Sequence, residues 1–128
     1  MKNKKLLVLV FGLVFVSLIL AACGTSKTTF PTGKFIKSGT TDYKLVFNPD
    51  GTFLVSSGGT NLITGTYSVD GNVLTETSND GGCSTDVSFT YTFDGTNLTF
   101  NYVGTPADDM ACSGRYRDFN NVTYILSK

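Results

Sequence analysis

The sequence predicts an all-β domain, and three observations support this prediction. Apolar and polar residues alternate with a period of two through most of the chain after Gly33, as expected for strands with one buried face. Turn-forming pairs interrupt this alternation at Asp50-Gly51, Asp70-Gly71 and Asp94-Gly95. After the N-terminal leader, no window of eleven or more residues has the spacing of an amphipathic helix. We therefore expect an antiparallel meander of about eight strands.

The predicted strands follow one another in hairpins. In the first turn, Asn48-Pro49-Asp50-Gly51, the proline presets the backbone angle φ and the glycine accepts a positive φ. The most regular strand covers residues 87–93, with apolar residues on one face and hydroxyl residues on the other. A last hairpin is predicted between residues 115–119 and 122–126, and residues 35–36 form a ninth strand or the frayed start of the first. The remaining strands are marked by Tyr43, Leu45 and Phe47; Phe53 and Val55; Ile63, Gly65, Tyr67 and Val69; Val73 and Thr75, or Leu74 on the other face; and Leu98, Phe100 and Tyr102.

The order of these hairpins predicts how the strands are arranged. Consecutive strands joined by tight turns pair with their neighbours in antiparallel fashion. A meander of eight short strands leaves fewest exposed edges when it closes into an up-and-down barrel. We expect such a barrel over residues 33–128, and a sandwich of two sheets is the alternative.

The first 22 residues have the layout of a secretory signal peptide. Three lysines precede an uncharged apolar run over residues 6–20. The following Leu20-Ala21-Ala22-Cys23-Gly24 resembles a bacterial lipobox, which implies cleavage before Cys23 and a diacylglyceryl group on its thiol. Two or more acyl chains hold a protein firmly on a membrane. An ordinary cleaved signal peptide and a retained transmembrane anchor are the alternatives, and residues 23–32 are predicted to be the lipidated N-terminus and a flexible tether.

This N-terminus predicts a location outside the cytoplasm. We expect it to be exported and lipid-anchored to the cell envelope: at the outer membrane if the source has two membranes, and on the outer face of the cell membrane if it has one. Its membrane partner would be reached through the diacylglyceryl group on Cys23.

Charge and composition limit the function of the mature chain. After residue 22, seven basic residues face ten acidic ones, a net charge of −3. Such a chain has no basic stripe for phosphate backbones, so nucleic acid is not an expected partner. The sequence contains no His, the usual general base at neutral pH and the commonest metal ligand. We expect a monomer with no enzymatic activity, cofactor or metal. We assign Asp80, Asp86, Asp108 and Asp109 to turns and solvated loops, with a Ca²⁺ site as the alternative. We assign Glu76 to a wet strand face, with a buried acid as the alternative.

Two cysteines remain after Cys23. Cys83 and Cys112 each lie in a loop rich in Gly, Ser or Asp, and an even pair on an exported chain is most simply a disulfide. The alternative is a metal or redox site with two thiolates, for which no further Cys or His supplies ligands.

Aromatic residues occupy the predicted strand interiors and have two interpretations. They line an apolar pocket for a small ligand, or they fill the barrel, because eight strands suffice for either. A domain of this size needs most of its apolar residues for its own core, which favours the second interpretation. These residues are Phe47, Phe53, Tyr67, Phe89, Tyr91, Phe93, Phe100 and Tyr102.

The turn segments resemble a known family. The segments at residues 33–35, 45–53, 65–75 and 94–99, together with Cys112-Ser113-Gly114-Arg115, are similar to the lipocalin-like (calycin) domains of small bacterial lipoproteins. The resemblance implies a Gly-x-Trp near the start of the barrel whose indole packs against an arginine from the last strand, and this sequence has phenylalanine in place of the tryptophan. In this sequence Phe35 would be the aromatic residue, and Arg115 or Arg117 the arginine.

Two functions are expected from these features. The first is a membrane-tethered, non-enzymatic module that binds a small apolar ligand or a cell-envelope component at the barrel mouth. The alternative is a protein-binding or inhibitor lipoprotein that acts through its disulfide-tied loops. The segment Ser113-Gly114-Arg115-Tyr116 is similar to part of the membrane-bound lysozyme inhibitors, which are also small disulfide-bonded β-barrels.

Overall fold

The computed structural model describes residues 29–79, 83, 85–106 and 112–128. The leader, Cys23, the tether up to residue 28, and Asp80, Asp108 and Asp109 lie outside the described residues. Eight strands and one helix follow in chain order: β1 (Gly33–Lys37), β2 (Lys44–Phe47), β3 (Thr52–Ser57), β4 (Thr60–Asp70), β5 (Val73–Ser78), β6 (Val87–Phe93), β7 (Asn97–Val103), α1 (Ser113–Phe119) and β8 (Val122–Leu126). In the described part of the chain, no helix is long and apolar enough to cross a membrane.

The eight strands form a closed antiparallel barrel in sequence order. Closure is made by β1, which pairs with β2 on one side and with β8 on the other, where Phe35 lies opposite Leu126. The predicted up-and-down barrel is therefore confirmed over the sandwich. We call the end with the short turns at residues 48–51, 71–72 and 94–96 the turn end. The opposite end, which carries α1 and the turn at residues 58–59, is the helix end.

The Asp-Gly turns form where the sequence predicts them. Gly51, Gly71 and Gly95 all have positive φ, of 83°, 59° and 99°. Residues with a Cβ atom rarely adopt this backbone conformation. In the first turn the Asp50 carboxylate accepts a hydrogen bond from the Thr52 backbone N–H. These local bonds fix the hairpin register that places alternate residues inside the barrel.

Close packing explains why β4 contains a buried glycine. Gly65 pairs with Phe53 on β3 and with Ser78 on β5. A Cβ atom at this position would overlap the Thr77 carbonyl oxygen and the Phe53 ring. The absence of a side chain thus lets the Phe53 ring approach the backbone of β4 closely.

The prediction of a strand at residues 115–119 is wrong, because this segment belongs to α1. Its buried residues, Arg115 and Phe119, are four apart and therefore share one helix face. The helix ends where the Asn120 N–H bonds the Tyr116 carbonyl oxygen, and Asn121 takes a positive φ of 57°. With residues 35–36 established as part of β1, the strand count remains eight.

The packed domain begins before Gly33. Phe30 lies in the segment that the sequence assigns to the tether, yet its side chain is buried. Its ring meets those of Phe47 and Tyr91 edge-on, with centroids 4.9 Å away in each case. A large aromatic side chain buries enough apolar surface to order the chain that carries it, and polar neighbours do not prevent this.

Candidate functional site

The aromatic residues predicted to line a pocket form the core of the barrel. Phe89 and Phe100 are fully buried, with ring centroids 6.0 Å apart, and the rings of Phe47 and Tyr67 are 5.0 Å apart. The buried members of the predicted set are exposed by 7% or less, so water does not surround their rings. Tyr67, Phe93 and Tyr102 are partly buried and pack against this cluster. The interior is thus occupied by side chains of the chain itself.

Phe30 closes the turn end of the barrel. Besides its contacts with Phe47 and Tyr91, its ring lies 5.4 Å from that of Tyr67. The rim tyrosines hold the strand connections beside it: the Tyr67 hydroxyl donates to the Asn48 carbonyl oxygen and the Tyr91 hydroxyl to that of Gly71. Phe30 therefore fills the opening through which a ligand would enter from this side.

Helix α1 closes the helix end. The Phe119 ring contacts the inward rings of Phe89, Phe100 and Tyr124, with centroid distances of 5.1, 5.6 and 5.8 Å. The helix contacts β7 and β8, the two strands that it connects. Phe119 thus gives the core an aromatic cover at this end, as Phe30 does at the other.

A covalent bond and an ion pair fix α1 to the barrel. The predicted Cys83–Cys112 disulfide is confirmed, and Cys112 directly precedes the helix. Near the start of α1, the buried Arg115 guanidinium lies 3.5 Å from the carboxylate of Glu76 on β5. The same guanidinium donates to the backbone carbonyl oxygens of Thr85, at 2.8 Å, and Cys83, at 3.4 Å. Arg115 therefore joins the helix, β5 and the segment before β6 in one buried polar cluster.

The prediction that Glu76 lies on a wet strand face is wrong. Glu76 is buried, and it shares the inward face of β5 with Leu74 and Ser78. Strand alternation places these three residues together, so a signal was present in the sequence. A buried carboxylate needs a partner, and that partner comes from a helix 39 residues away in sequence.

The two candidate arginines have different surroundings. Arg115 belongs to the buried cluster, whereas the Arg117 side chain is 77% exposed and pairs with Asp118 at 3.3 Å. Phe35 is buried, with Phe47 and Phe93 meeting its ring edge-on. Stacking of either guanidinium on Phe35 stays a prediction.

Asp118 ties α1 to β1, to Tyr43 just before β2, and to β8. Its carboxylate accepts hydrogen bonds from Lys37 at 3.1 Å and from the Tyr43 hydroxyl at 3.3 Å. The Tyr124 hydroxyl donates to the Asp118 carbonyl oxygen at 2.7 Å. Burial opposes ionisation of Asp118, but hydrogen bonds from Arg117 and Lys37 and their positive charge lower the pKa below its ordinary value.

The pKa values of Tyr43 and Tyr124, the two tyrosines of this network, are raised instead of lowered. Burial raises the pKa of both hydroxyls, and the negative charge of Asp118 adds to the rise for Tyr43 and for Tyr124. Both therefore stay neutral in the folded protein at pH values where they ionise in the unfolded chain. Above pH 10, the unfolded state binds fewer protons than the folded state, so stability falls as pH rises.

This network predicts a loss of stability in alkali that depends on Tyr124. Between pH 10 and 11, the fully buried Tyr124 should contribute a fall of up to about 1.4 kcal/mol per pH unit in the free energy of unfolding. Tyr124→Phe should reduce this slope, measured by urea unfolding at a series of pH values. An identical slope in the variant would contradict the assignment.

The outer surface of the helix end carries exposed apolar side chains. Tyr116 on α1 is 38% exposed and Val103 at the end of β7 is 46% exposed. The Tyr116 ring lies 5.4 Å from that of Tyr102, which connects the surface with the core. Beside them, an open cleft of about 310 Å³ is lined by residues 85–88 and 102–105. We call Tyr116, Val103 and this cleft the helix-end surface.

The sequence pattern did not identify the helix-end surface. This surface forms because Tyr116 is exposed on α1. The sequence pattern instead placed Tyr116 in a predicted strand. The one sequence feature that fits a helix here is the spacing of Arg115 and Phe119, which are four residues apart and so share one face. Tyr116 lies on the opposite, exposed side of that helix. Comparison with models of known families, with curated proteins and with solved structures finds no match to the chain.

Proposed function

We propose that the protein is a membrane-anchored, non-enzymatic module that binds a protein partner in the cell envelope through the helix-end surface. The proposal rests on the contrast between a packed barrel interior and an outer surface with exposed apolar side chains. The interior is packed and covered at both ends by Phe30 and Phe119, while Tyr116 and Val103 are exposed beside an open cleft. Exposed aromatic side chains beside a cleft are typical anchor points of protein interfaces.

The rigid attachment of α1 supports this function. The disulfide, the Arg115–Glu76 pair and the Asp118 network hold the helix at three positions along its length. A surface held in one conformation loses little conformational entropy when a partner binds, so more of the contact energy appears as affinity. An isolated seven-residue helix would not keep such a shape.

The predicted lipid anchor gives the barrel an orientation that suits the same function. Cys23 precedes Phe30 by seven residues, which span at most about 25 Å when fully extended. Because Phe30 packs at the turn end, a lipid on Cys23 would keep that end near the membrane. The helix-end surface would then face away from the bilayer, toward other envelope proteins.

An apolar ligand inside the barrel is the competing function. Such a ligand would have to displace core rings such as Phe47 and Phe100, whose centroids are 6.1 Å apart. The resemblance to lipocalin-like domains supports the barrel architecture that both functions share. The packed interior favours recognition on the outer surface.

In-cell photo-crosslinking tests the proposed surface. A photoreactive phenylalanine analogue replaces Tyr116 in the full-length protein, and in a matched control it replaces Ile125, which is 41% exposed on β8. We expect a discrete crosslinked protein adduct from position 116 that is absent from position 125. A lack of adduct at position 116, or the same adducts at both positions, would contradict the proposed surface.

A further inference from the structure

A buried hydroxyl group in the barrel interior has no hydrogen-bond partner in the described part of the chain. Ser78, the last residue of β5, is 3% exposed, and its Oγ atom is buried without a hydrogen bond. A buried polar group that stays unpaired costs free energy, so nearly all such groups bond to a protein atom or to an ordered water. The Ser78 hydroxyl therefore indicates a partner that is not part of the chain.

The Ser78 hydroxyl lies beside the buried ion pair of Glu76 and Arg115. Ser78 and Glu76 both face inward on β5 and are two residues apart, so their Cα atoms are separated by roughly 6.6 Å. The contact between the Glu76 carboxylate and the Arg115 guanidinium is 3.5 Å long, whereas a charge-assisted hydrogen bond of this kind usually measures about 2.7–2.9 Å. The two charges thus approach each other without close contact, and such a spacing suits a small polar molecule next to the pair.

The charges at this position decide which molecule fits. An anion would be repelled by the Glu76 carboxylate and a cation by the Arg115 guanidinium, which leaves a neutral molecule. That molecule has to donate to the carboxylate, which only accepts, and to bond the Ser78 hydroxyl, which donates and accepts. One water molecule meets both requirements, and its two hydrogen bonds of about 2.8 Å each span the distance between groups on neighbouring inward positions of a strand.

We propose that the barrel holds a buried structural water molecule that bridges the Ser78 hydroxyl and the Glu76 carboxylate. Waters of this kind make roughly two to four hydrogen bonds to buried polar groups and are costly to remove. This water extends the polar cluster in which Arg115 binds the Thr85 and Cys83 carbonyl oxygens, so that the last residue of β5 joins it. The water lies in the interior and does not depend on what the helix-end surface binds.

The sign of a stability change distinguishes a bridged hydroxyl from an unpaired one. If water bonds the hydroxyl, Ser78→Ala removes that bond and should lower the urea midpoint of the full-length protein. If the hydroxyl is unpaired, the same substitution removes a desolvation penalty and should raise the midpoint. Ser68→Ala, at an exposed serine of β4, is the control and should leave the midpoint unchanged. A midpoint for Ser78→Ala at or above that of the unchanged protein would overturn the inference.

Magnetic relaxation dispersion of the water oxygen detects the bound molecule directly. The method counts water molecules that stay bound while the protein rotates. We expect the full-length protein to hold one more such molecule than Ser78→Val, whose methyl groups cannot bond water. Ser68→Val should hold the same number as the unchanged protein. An equal number in Ser78→Val and the unchanged protein would overturn the inference.

Discussion

Replacing Arg115 with methionine should lower the free energy of unfolding by about 3–5 kcal/mol. The substitution leaves the buried Glu76 carboxylate without the guanidinium that lies 3.5 Å from it. It also removes the donor to the Thr85 and Cys83 carbonyl oxygens. Urea unfolding at neutral pH, followed by circular dichroism, measures the loss. Since domains of this size are stable by only about 5–15 kcal/mol, the effect should be large.

Two further variants distinguish this ion pair from a general effect of arginine removal. Arg117→Met changes the same residue type in the same helix, but at an exposed position, and should cost less than about 1 kcal/mol. The double substitution Arg115→Met with Glu76→Met should recover much of the loss, because it removes the buried Glu76 carboxylate as well. Equal losses from the two arginine variants would contradict the role assigned to the buried pair.

Removing the disulfide should have the second large effect. The Cys83→Ala and Cys112→Ala double variant frees a loop whose ends are 29 residues apart, which in the chain-entropy model costs about 3–4 kcal/mol. Thermal and urea unfolding of the oxidised protein and the double variant measure the difference.

The helix-end surface should be affected along with stability. Cys112 immediately precedes α1, so loss of the bridge removes the covalent hold on the start of the helix. We expect the photo-crosslink from position 116 to weaken under conditions where far-ultraviolet circular dichroism still shows a folded barrel. An unchanged unfolding midpoint would contradict the stabilising role, and an unchanged crosslink would contradict the link between the bridge and the surface.

The strands and the disulfide could be predicted from the sequence because their determinants are local or few. In β6, the alternation from Val87 to Phe93 places Phe89 and Tyr91 inward, and the structure shows both buried. The turn at Asp94-Gly95 then fixes the register in which Phe93 faces Leu98. Tight turns between consecutive strands leave antiparallel pairing as the natural arrangement. After Cys23, the two remaining cysteines of the sequence have only each other as disulfide partners.

The helix and the buried ion pair were missed because their determinants are distant in sequence. Residues 115–119 are too few for a helical period to stand out, and the stability of α1 comes from its attachment to the barrel. Glu76 carries a charge that ordinarily indicates solvent exposure. Its burial depends on Arg115, whose position could not be known until the helix was known.

The position of Phe30 was missed for a related reason. It stands between polar residues and Pro31, a composition typical of a linker. Its burial requires an opening bordered by Phe47, Tyr67 and Tyr91, which exists only once the barrel has closed. The same contact changes the functional interpretation, because it covers one of the two ends through which an internal ligand would pass.

The barrel interior is filled by the protein's own side chains, and we propose that recognition therefore takes place on the outside. Mass spectrometry of the full-length protein from its own host, under native and then denaturing conditions, tests this claim most directly. We predict the same mass per chain in both states, because the lipid predicted on Cys23 is covalent and would remain attached in both. A discrete apolar molecule that is retained by each folded chain and released on denaturation would contradict the claim.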